Sequence, residues 1–483
     1  MSKTSVATLP TLDQLYEDPD RRARIEEIEG QLVAEGVTHV YFQYVTLQGR
    51  VIAKLMPTQF WVRSASRGLS MPYCIAGGLQ VNLAGQLLGE DGNTGREGAM
   101  LPDLDTFAIL PWDRRFARVF CGQYRKLQDE EAPGQPAAHD CRQQLKRAFR
   151  ELAEEMQVEP VSGCEPEMSW FRDAESIDAS ASQLPPFVST AYHARHAEDM
   201  RPVLSKVTEY CKALGFNMIQ ATYEDPAQIE INFEQDNFLS TADRLVTYRQ
   251  VCIQVAQELG MFATFMPKPV PGIMANGCHH HVSFMRDGEN ILIDNEATTR
   301  RNLTEVGLQA VGGILTHLRG MMAVLAPTVN SYKRYLEQDP TAASTGLTPT
   351  DTNWGYDNRL CAVRALPGRF EVRAPDASTN PYLSHLALLA AVEDGWKRQV
   401  DPGVPLEDEV EQSNTNGAAA ARFAPLPITL GEALDAFEAD DVVTSFLGSE
   451  MSKLFVECKR DEWNRYCGAI TDWDYETYLN YIP

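Results

Sequence analysis

Positive charge is scarce in this chain: 43 Lys and Arg stand against 67 Asp and Glu among 483 residues, a formal charge of −24 at neutral pH. A field of that sign repels phosphate backbones and anionic lipid surfaces, so nucleic-acid and membrane partners are not expected. Long apolar runs are missing too. No stretch of about 18 apolar residues occurs, and the opening MSKTSVATLPTLDQLYEDPD has no apolar core between basic flanks. The expectation is a soluble, cytoplasmic protein. The ten cysteines, from Cys74 to Cys467, form no CxxC pair, which disfavours a zinc ribbon or a disulfide framework and favours buried free thiols. No internal repeat is visible.

With 44% hydrophobic residues the chain can bury large cores, and its length predicts two or more domains because one core stops growing at roughly 250–300 residues. Residues 21–35 read as a short helix rich in Arg and Glu, and the alternation after Gly36 reads as a hairpin turning near Gln48 and Gly49. The Pro-, Ala- and acid-rich stretch 128–140 marks a boundary, beyond which helices are expected at 141–156, 303–325 and 384–398. Leu245, Tyr248, Cys252, Val255 and Leu259 mark another helix, with Asp243 near its start favouring the helix dipole. The stretch 415–427 reads as a surface loop.

Against this background, five glutamates and one histidine recur in short, distinctive contexts: Glu165 and Glu167 in GCEPEMSW, Glu224 and Glu230 in TYEDPAQIEI, His279 in NGCHHHVSF, and Glu371 in GRFEVRAPD. An E-x-E triplet on a strand directs both carboxylates to one face. Carboxylates that close need cations, and oxygen ligands with one imidazole suit Mg²⁺ or Mn²⁺; five carboxylates exceed what one ion requires, so two metals are expected. His280 would point away from its neighbours and is read as structural. Cys164 and Cys278, beside these ligands, are read as lining the site.

The segments ATFMPKP, NSYKR, EVRAPDASTNPYL and CHHHVSF, together and in this order, resemble the glutamine synthetase family of ATP-dependent γ-glutamyl ligases. The resemblance runs from about residue 25 onward. It implies an α+β fold, with an N-terminal β-grasp domain (20–127) before a catalytic domain (134–483) built on a curved antiparallel sheet with helices. It also implies a ring-forming homo-oligomer, a dodecamer, with active sites shared between subunits, and ATP, glutamate and an amine as reactants. By motif, Glu167, Glu224 and Glu230 match ligands of the metal beside glutamate, and Glu165, His279 and Glu371 those of the metal beside the ATP γ-phosphate. Arg334, Arg373 and Gly277 match glutamate-binding positions. Arg359, Arg364 and Arg369 match positions that meet the phosphates, and His281 and Ser283 match ATP contacts.

The chain departs from the family where the nucleophile binds. Ammonia-using members carry an aspartate in a D-x-x-G turn; here the turn is TLQG and Thr46 stands in that place. They also carry a flap glutamate after NSYKR, and counting back from Asn358 puts Leu347 or a neighbour there, with Glu337 and Asp351 as other candidates. Losing both anions removes the attraction for ammonium and the local proton acceptor. An aromatic amine is neutral already and needs an apolar slot more than a base; Tyr192 and Phe187 are candidates to line it, ordinary core packing being the alternative. The expected product is the γ-glutamyl amide of a bulky aromatic amine such as aniline. The alternatives are a ligase for ammonia, an alkylamine, ethanolamine or a polyamine, or a non-catalytic structural relative.

Overall fold

The computed structural model describes residues 9–89, 96–172, 191–225, 227–271, 274–297, 302–335, 348–406 and 423–480. Phe187, Glu337, Leu347 and residues 415–422 of the expected loop lie outside that range. The architecture is α+β, with two sheets among the described residues.

The first sheet begins with a helix, Pro19–Ala34, capped by Asp18, whose side chain accepts the N–H groups of Asp20 and Arg21. The expected hairpin follows as β1 (His39–Val45) and β2 (Val51–Pro57), paired antiparallel from His39↔Pro57 to Val45↔Val51. With β3 (Leu69–Pro72), β4 (Glu97–Pro102), β5 (Ala108–Ile109) and β6 (Phe116–Tyr124) it forms a six-stranded sheet in the order β2-β1-β6-β4-β3, with β5 on β6.

The second sheet has ten strands: β7 (Glu159–Phe171), β8 (Met218–Asp225), β9 (Gln228–Phe233), β10 (Asp236–Asn237), β11 (Phe262–Thr264), β12 (Cys278–Arg286), β13 (Glu289–Asn290), β14 (Trp354–Tyr356), β15 (Val363–Leu366) and β16 (Arg369–Val372). Its main path is β14-β15-β16-β12-β7-β9-β8, antiparallel except at β14–β15. Helices at Cys141–Met156, Phe238–Glu258, Glu305–Leu325 and Pro381–Arg398 match the sequence expectations to within a few residues.

The last two of these helices pack closely because glycines face each other. A Cβ on Gly313 would sit 2.1 Å from the Ala391 carbonyl, and one on Gly395 would sit 2.3 Å from that of Gln309. The helix Glu305–Leu325 is long and apolar enough to cross a membrane, but 72% of its apolar window is buried inside this fold. Buried apolar side chains from both sheets, such as Phe42, Val119, Phe284 and Phe370, belong to one core cluster.

Asp243 does not act at a helix start. The helix begins at Phe238 with Asn237 as its cap, which leaves Asp243 in the second turn. There it accepts two hydrogen bonds from Arg142, at 2.9 and 2.8 Å, and one from the Tyr382 hydroxyl at 2.6 Å. Arg142 also donates to Asp103 at 2.9 Å, and Lys146 donates to the same carboxylate at 2.7 Å. Burial works against the Asp103 charge, yet these two cations outweigh it and hold the carboxyl well below its ordinary range.

Cys164 and Cys278 do not line the site either. They alternate with the ligand residues along β7 and β12, so the pleat turns them to the reverse face, where both are buried. His280 shares that face as expected. Its Nδ1 bonds the Cys278 carbonyl at 2.8 Å and its Nε2 the Ser384 hydroxyl at 2.8 Å. With both ring nitrogens engaged, this thiol and imidazole group is packed core.

Candidate active site

Sheet register builds the site. Across β15, β16, β12, β7 and β9, residues directly opposite one another are Arg364↔Glu371, Glu371↔His281, His279↔Glu165 and Glu167↔Glu230. Every one is an ionisable side chain, and the pleat puts them on one face. A cavity of about 680 Å³ opens there, lined among others by Glu165, Glu167, Glu224, Glu230, His279 and Glu371. All six expected ligands are thus brought together from four strands and the end of β8.

Glu165 is the hub of one half. Its Oε1 lies 2.8 Å from His281 Nε2 and its Oε2 3.4 Å from His279 Nδ1, while His279 Nδ1 is 3.4 Å from Glu371 Oε1. Burial pushes the Glu165 carboxyl upward, but the two imidazoles overcome it and hold the carboxyl far below its usual range. Glu371 is also held low: burial opposes its charge, and His279, Arg373 and His281 stabilise it. Ligand-capable atoms of Glu165, His281 and Glu371 lie within 4.8 Å of one another. His281, matched in sequence to an ATP contact, therefore stands among the metal-ligand candidates.

In the other half the carboxylates crowd one another. Glu230 is pushed up to about 9 by burial and then by the charges of Glu165 and Glu167, with only the Asn232 amide acting against them. Glu230 and Glu167 face each other across neighbouring strands, and like charges so placed destabilise each other. A divalent cation held among Glu167, Glu224 and Glu230 would relieve that repulsion, and the oxygen-rich donor set suits Mg²⁺ or Mn²⁺.

Four arginines line the same cavity. Arg334 donates through Nη1 to the carbonyls of Ala374 and Pro375 at 3.2 and 3.4 Å, which leaves Nη2 toward the cavity and Nε buried without a partner. Arg373 donates through Nη1 to Glu371, and its Nε is likewise buried and unpartnered. Arg364 bridges Asp357 and Glu371, and Arg359 is exposed on the rim. Gly277 fits the expectation of close backbone approach: a Cβ there would meet His279 Nε2 at 3.1 Å, Glu167 Oε1 at 3.2 Å and Arg334 Nη2 at 3.3 Å.

Some expected residues stand elsewhere. Arg369 and Ser283 do not line the cavity; the Arg369 Nε donates to His281 Nδ1 at 3.3 Å, and Ser283 is buried farther along β12. Thr46 is fully buried in the β1–β2 turn, where its hydroxyl accepts the Arg50 N–H at 3.3 Å and its carbonyl accepts the Asn380 amide at 3.0 Å. Asp351 pairs with Pro425 in an isolated bridge, away from the lining. Tyr192 is not core. It lines the cavity, 66% exposed, with a backbone φ of +61° that a non-glycine residue rarely adopts.

The structure adds residues the sequence reading missed. Ala191, Met274, Ala275 and Thr348 contribute wall, as do Gln220 and Thr222 from β8. Gln228 donates to Glu167 at 3.2 Å and Asn232 to Glu230 at 2.9 Å. The signal for these two was present, since Gln228, Glu230 and Asn232 alternate in QIEIN and must share a face.

Comparison with known proteins agrees with this geometry. Residues 138–478 match the family model described as glutamine synthetase, catalytic domain. Glutamine synthetase of Pyrococcus abyssi is 34% identical over 395 residues, covering 78% of this chain and 84% of its own length. Glutamate–methylamine ligase of Methyloversatilis universalis is 28% identical over 448 residues, covering 92% of this chain and 97% of its own. The solved structure "GmaS/ADP complex-Conformation 1" superposes with a TM-score of 0.81 at 27% identity, over 94% of this chain and 99% of that one. On sequence, fold and the gathering of these carboxylates and arginines in one cavity, the chain belongs to the glutamine synthetase family of ATP-dependent glutamate–amine ligases.

Proposed function

We propose that the chain joins the glutamate γ-carboxylate to a bulky, neutral aromatic amine such as aniline, through a γ-glutamyl phosphate. The observation that carries the ligase reading is the convergence of Glu165, Glu167, Glu224, Glu230, His279 and Glu371 with four arginines on one cavity. Arg334 would grip the α-carboxylate with the free side of its guanidinium, and Gly277 leaves room for the amino acid backbone. The γ-carboxylate oxygen then attacks the ATP γ-phosphorus and ADP departs. Phosphoryl transfer rests on positioning and charge neutralisation, the role of Arg359 and Arg364, with Arg373 beside Arg334 on the glutamate. Two Mg²⁺ or Mn²⁺ ions, one held by Glu167, Glu224 and Glu230 and one by Glu165, His279 and Glu371, would supply Lewis-acid stabilisation of the phosphate oxygens. The amine nitrogen attacks the acyl carbon, phosphate leaves, and the surplus proton passes to solvent.

Two features support an aromatic acceptor. The TLQG turn offers no carboxylate, and Thr46 turns its hydroxyl inward to Arg50. The cavity wall also includes Ala191, Tyr192, Met274 and Ala275, which suit a flat apolar group better than a cation. A homo-oligomeric ring with shared sites, a cytoplasmic location and a domain division near 128–133 belong to the same proposal. Methylamine is the second reading, favoured because the methylamine ligase aligns with 92% of this chain. Phosphate release from ATP, glutamate and Mg²⁺ with a panel of ammonium, methylamine, ethanolamine, putrescine and aniline tests both. Turnover with aniline is expected; turnover with ammonium and none with aniline would overturn the acceptor assignment.

A further inference from the structure

The two oxygens of Glu167 are not equivalent. Its Oε2 accepts the Gly277 N–H at 2.6 Å and the Gln228 amide at 3.2 Å, whereas its Oε1 lies on the side of the Gly277 Cα, near His279 Nε2 and Arg334 Nη2. The Gln228 amide is itself fixed. Its Nε2 faces three acceptors, Glu167 Oε2, the Ala275 carbonyl at 2.9 Å and Asn276 Oδ1 at 2.9 Å, so the NH₂ end must point there. Asn276 is held in turn by donating to Ser169 Oγ at 3.0 Å and to the Met266 carbonyl at 2.8 Å. Gln228, 1% exposed, pairs with Ser169 across β9 and β7.

We propose that Gln228 is a positioning residue: beside the Gly277 N–H it holds Glu167 Oε2, so that Oε1 alone is presented to a cation, and it ties that carboxylate to the Ala275–Gly277 segment. Asn232 repeats the device on Glu230, filling Oε1 and leaving Oε2. An amide serves where a carboxylate would not, because it donates without adding another negative charge to the site. The arrangement makes the ligand one-toothed, and it couples metal uptake to the segment that receives the amino acid. This inference rests on the proposed metal-dependent reading of the cavity.

The test is Mn²⁺ titration of the intact full-length protein, without ATP, followed by electron paramagnetic resonance. Wild type should bind two Mn²⁺ per chain; no binding would overturn the metal reading itself. Gln228→Met removes both N–H donors at similar volume, and one Mn²⁺ site should weaken by about 10- to 100-fold while the other stays within about twofold. Gln228→Asn, one methylene shorter, keeps the buried polarity and loses reach to Glu167; it should show the same loss and decides the matter if the Met variant does not fold. Ser169→Ala cuts the far end of the network but spares the donor to Glu167, so its Mn²⁺ affinities should equal wild type. Wild-type Mn²⁺ binding in folded Gln228→Asn, or an equal loss in Ser169→Ala, would overturn the assignment.

Discussion

Glu230 offers the sharpest test of the electrostatics. Its carboxyl is raised from 4.5 to about 9 by burial and by Glu165 and Glu167, so at neutral pH and without metal it keeps its proton. Ligation requires the carboxylate, so cation uptake must expel that proton. From pH 7 to 8 the cost falls by about 1.4 kcal/mol and apparent Mn²⁺ affinity should rise about tenfold, levelling off toward pH 9 for roughly 50-fold in all. The same proton acts on folding. Because the folded state binds it between about pH 4.5 and 9 and the unfolded state does not, metal-free protein should lose about 1.4 kcal/mol per unit as pH rises through that window. Glu230→Gln mimics the protonated form and should abolish this share of the slope while weakening one metal site. Isothermal titration calorimetry with Mn²⁺ in buffers of different ionisation enthalpy, from pH 6.5 to 8, reads the proton directly. An affinity flat with pH, or no proton released on binding, would refute the reasoning.

Three further outcomes follow from other contacts. Gly277→Ala forces a methyl against Glu167, His279 and Arg334, and a displacement of a few tenths of an ångström should raise the glutamate KM about tenfold in steady-state assays with little change in melting temperature. Arg142→Met leaves Asp243 with the Tyr382 hydroxyl but no cation and Asp103 with Lys146 as its one cation, and about 3 kcal/mol of stability should be lost in urea titration. His317, between Asp394 at 3.0 Å and Asp440 at 2.8 Å, is held above its ordinary value: burial opposes its charge and the two carboxylates outweigh it. The stabilisation is therefore full below about pH 6.5 and lost as pH rises through the folded-state value. His317→Asn should remove that decline from thermal melts between pH 6 and 9.

Much of the architecture was legible because periodicity is local. The hairpin at Gln48 and Gly49, the helix over 141–156 and the outward pair Glu165 and Glu167 each follow from spacing alone. The site could be listed by motif, but its order could not. That Glu371 meets His281, and Glu167 meets Glu230, depends on strand register between segments far apart in sequence. The same parity that turns Glu165 toward the cavity sends Cys164, Cys278 and His280 behind the sheet. Asp243 misled for a different reason: near a helix start it invited a dipole reading, whereas Arg142 from another helix was the stronger partner.

The ion cluster around Arg142 has a bearing on how the molecule comes apart. Asp103 follows the N-terminal strand β4, Arg142 and Lys146 sit on the linking helix, and Asp243 and Tyr382 belong to helices behind the larger sheet. A truncated polypeptide starting near residue 134 would deprive Lys146 and Arg142 of the Asp103 carboxylate they share. Melting should accordingly proceed as a single cooperative event, with no half-molten species in which one layer survives its neighbour.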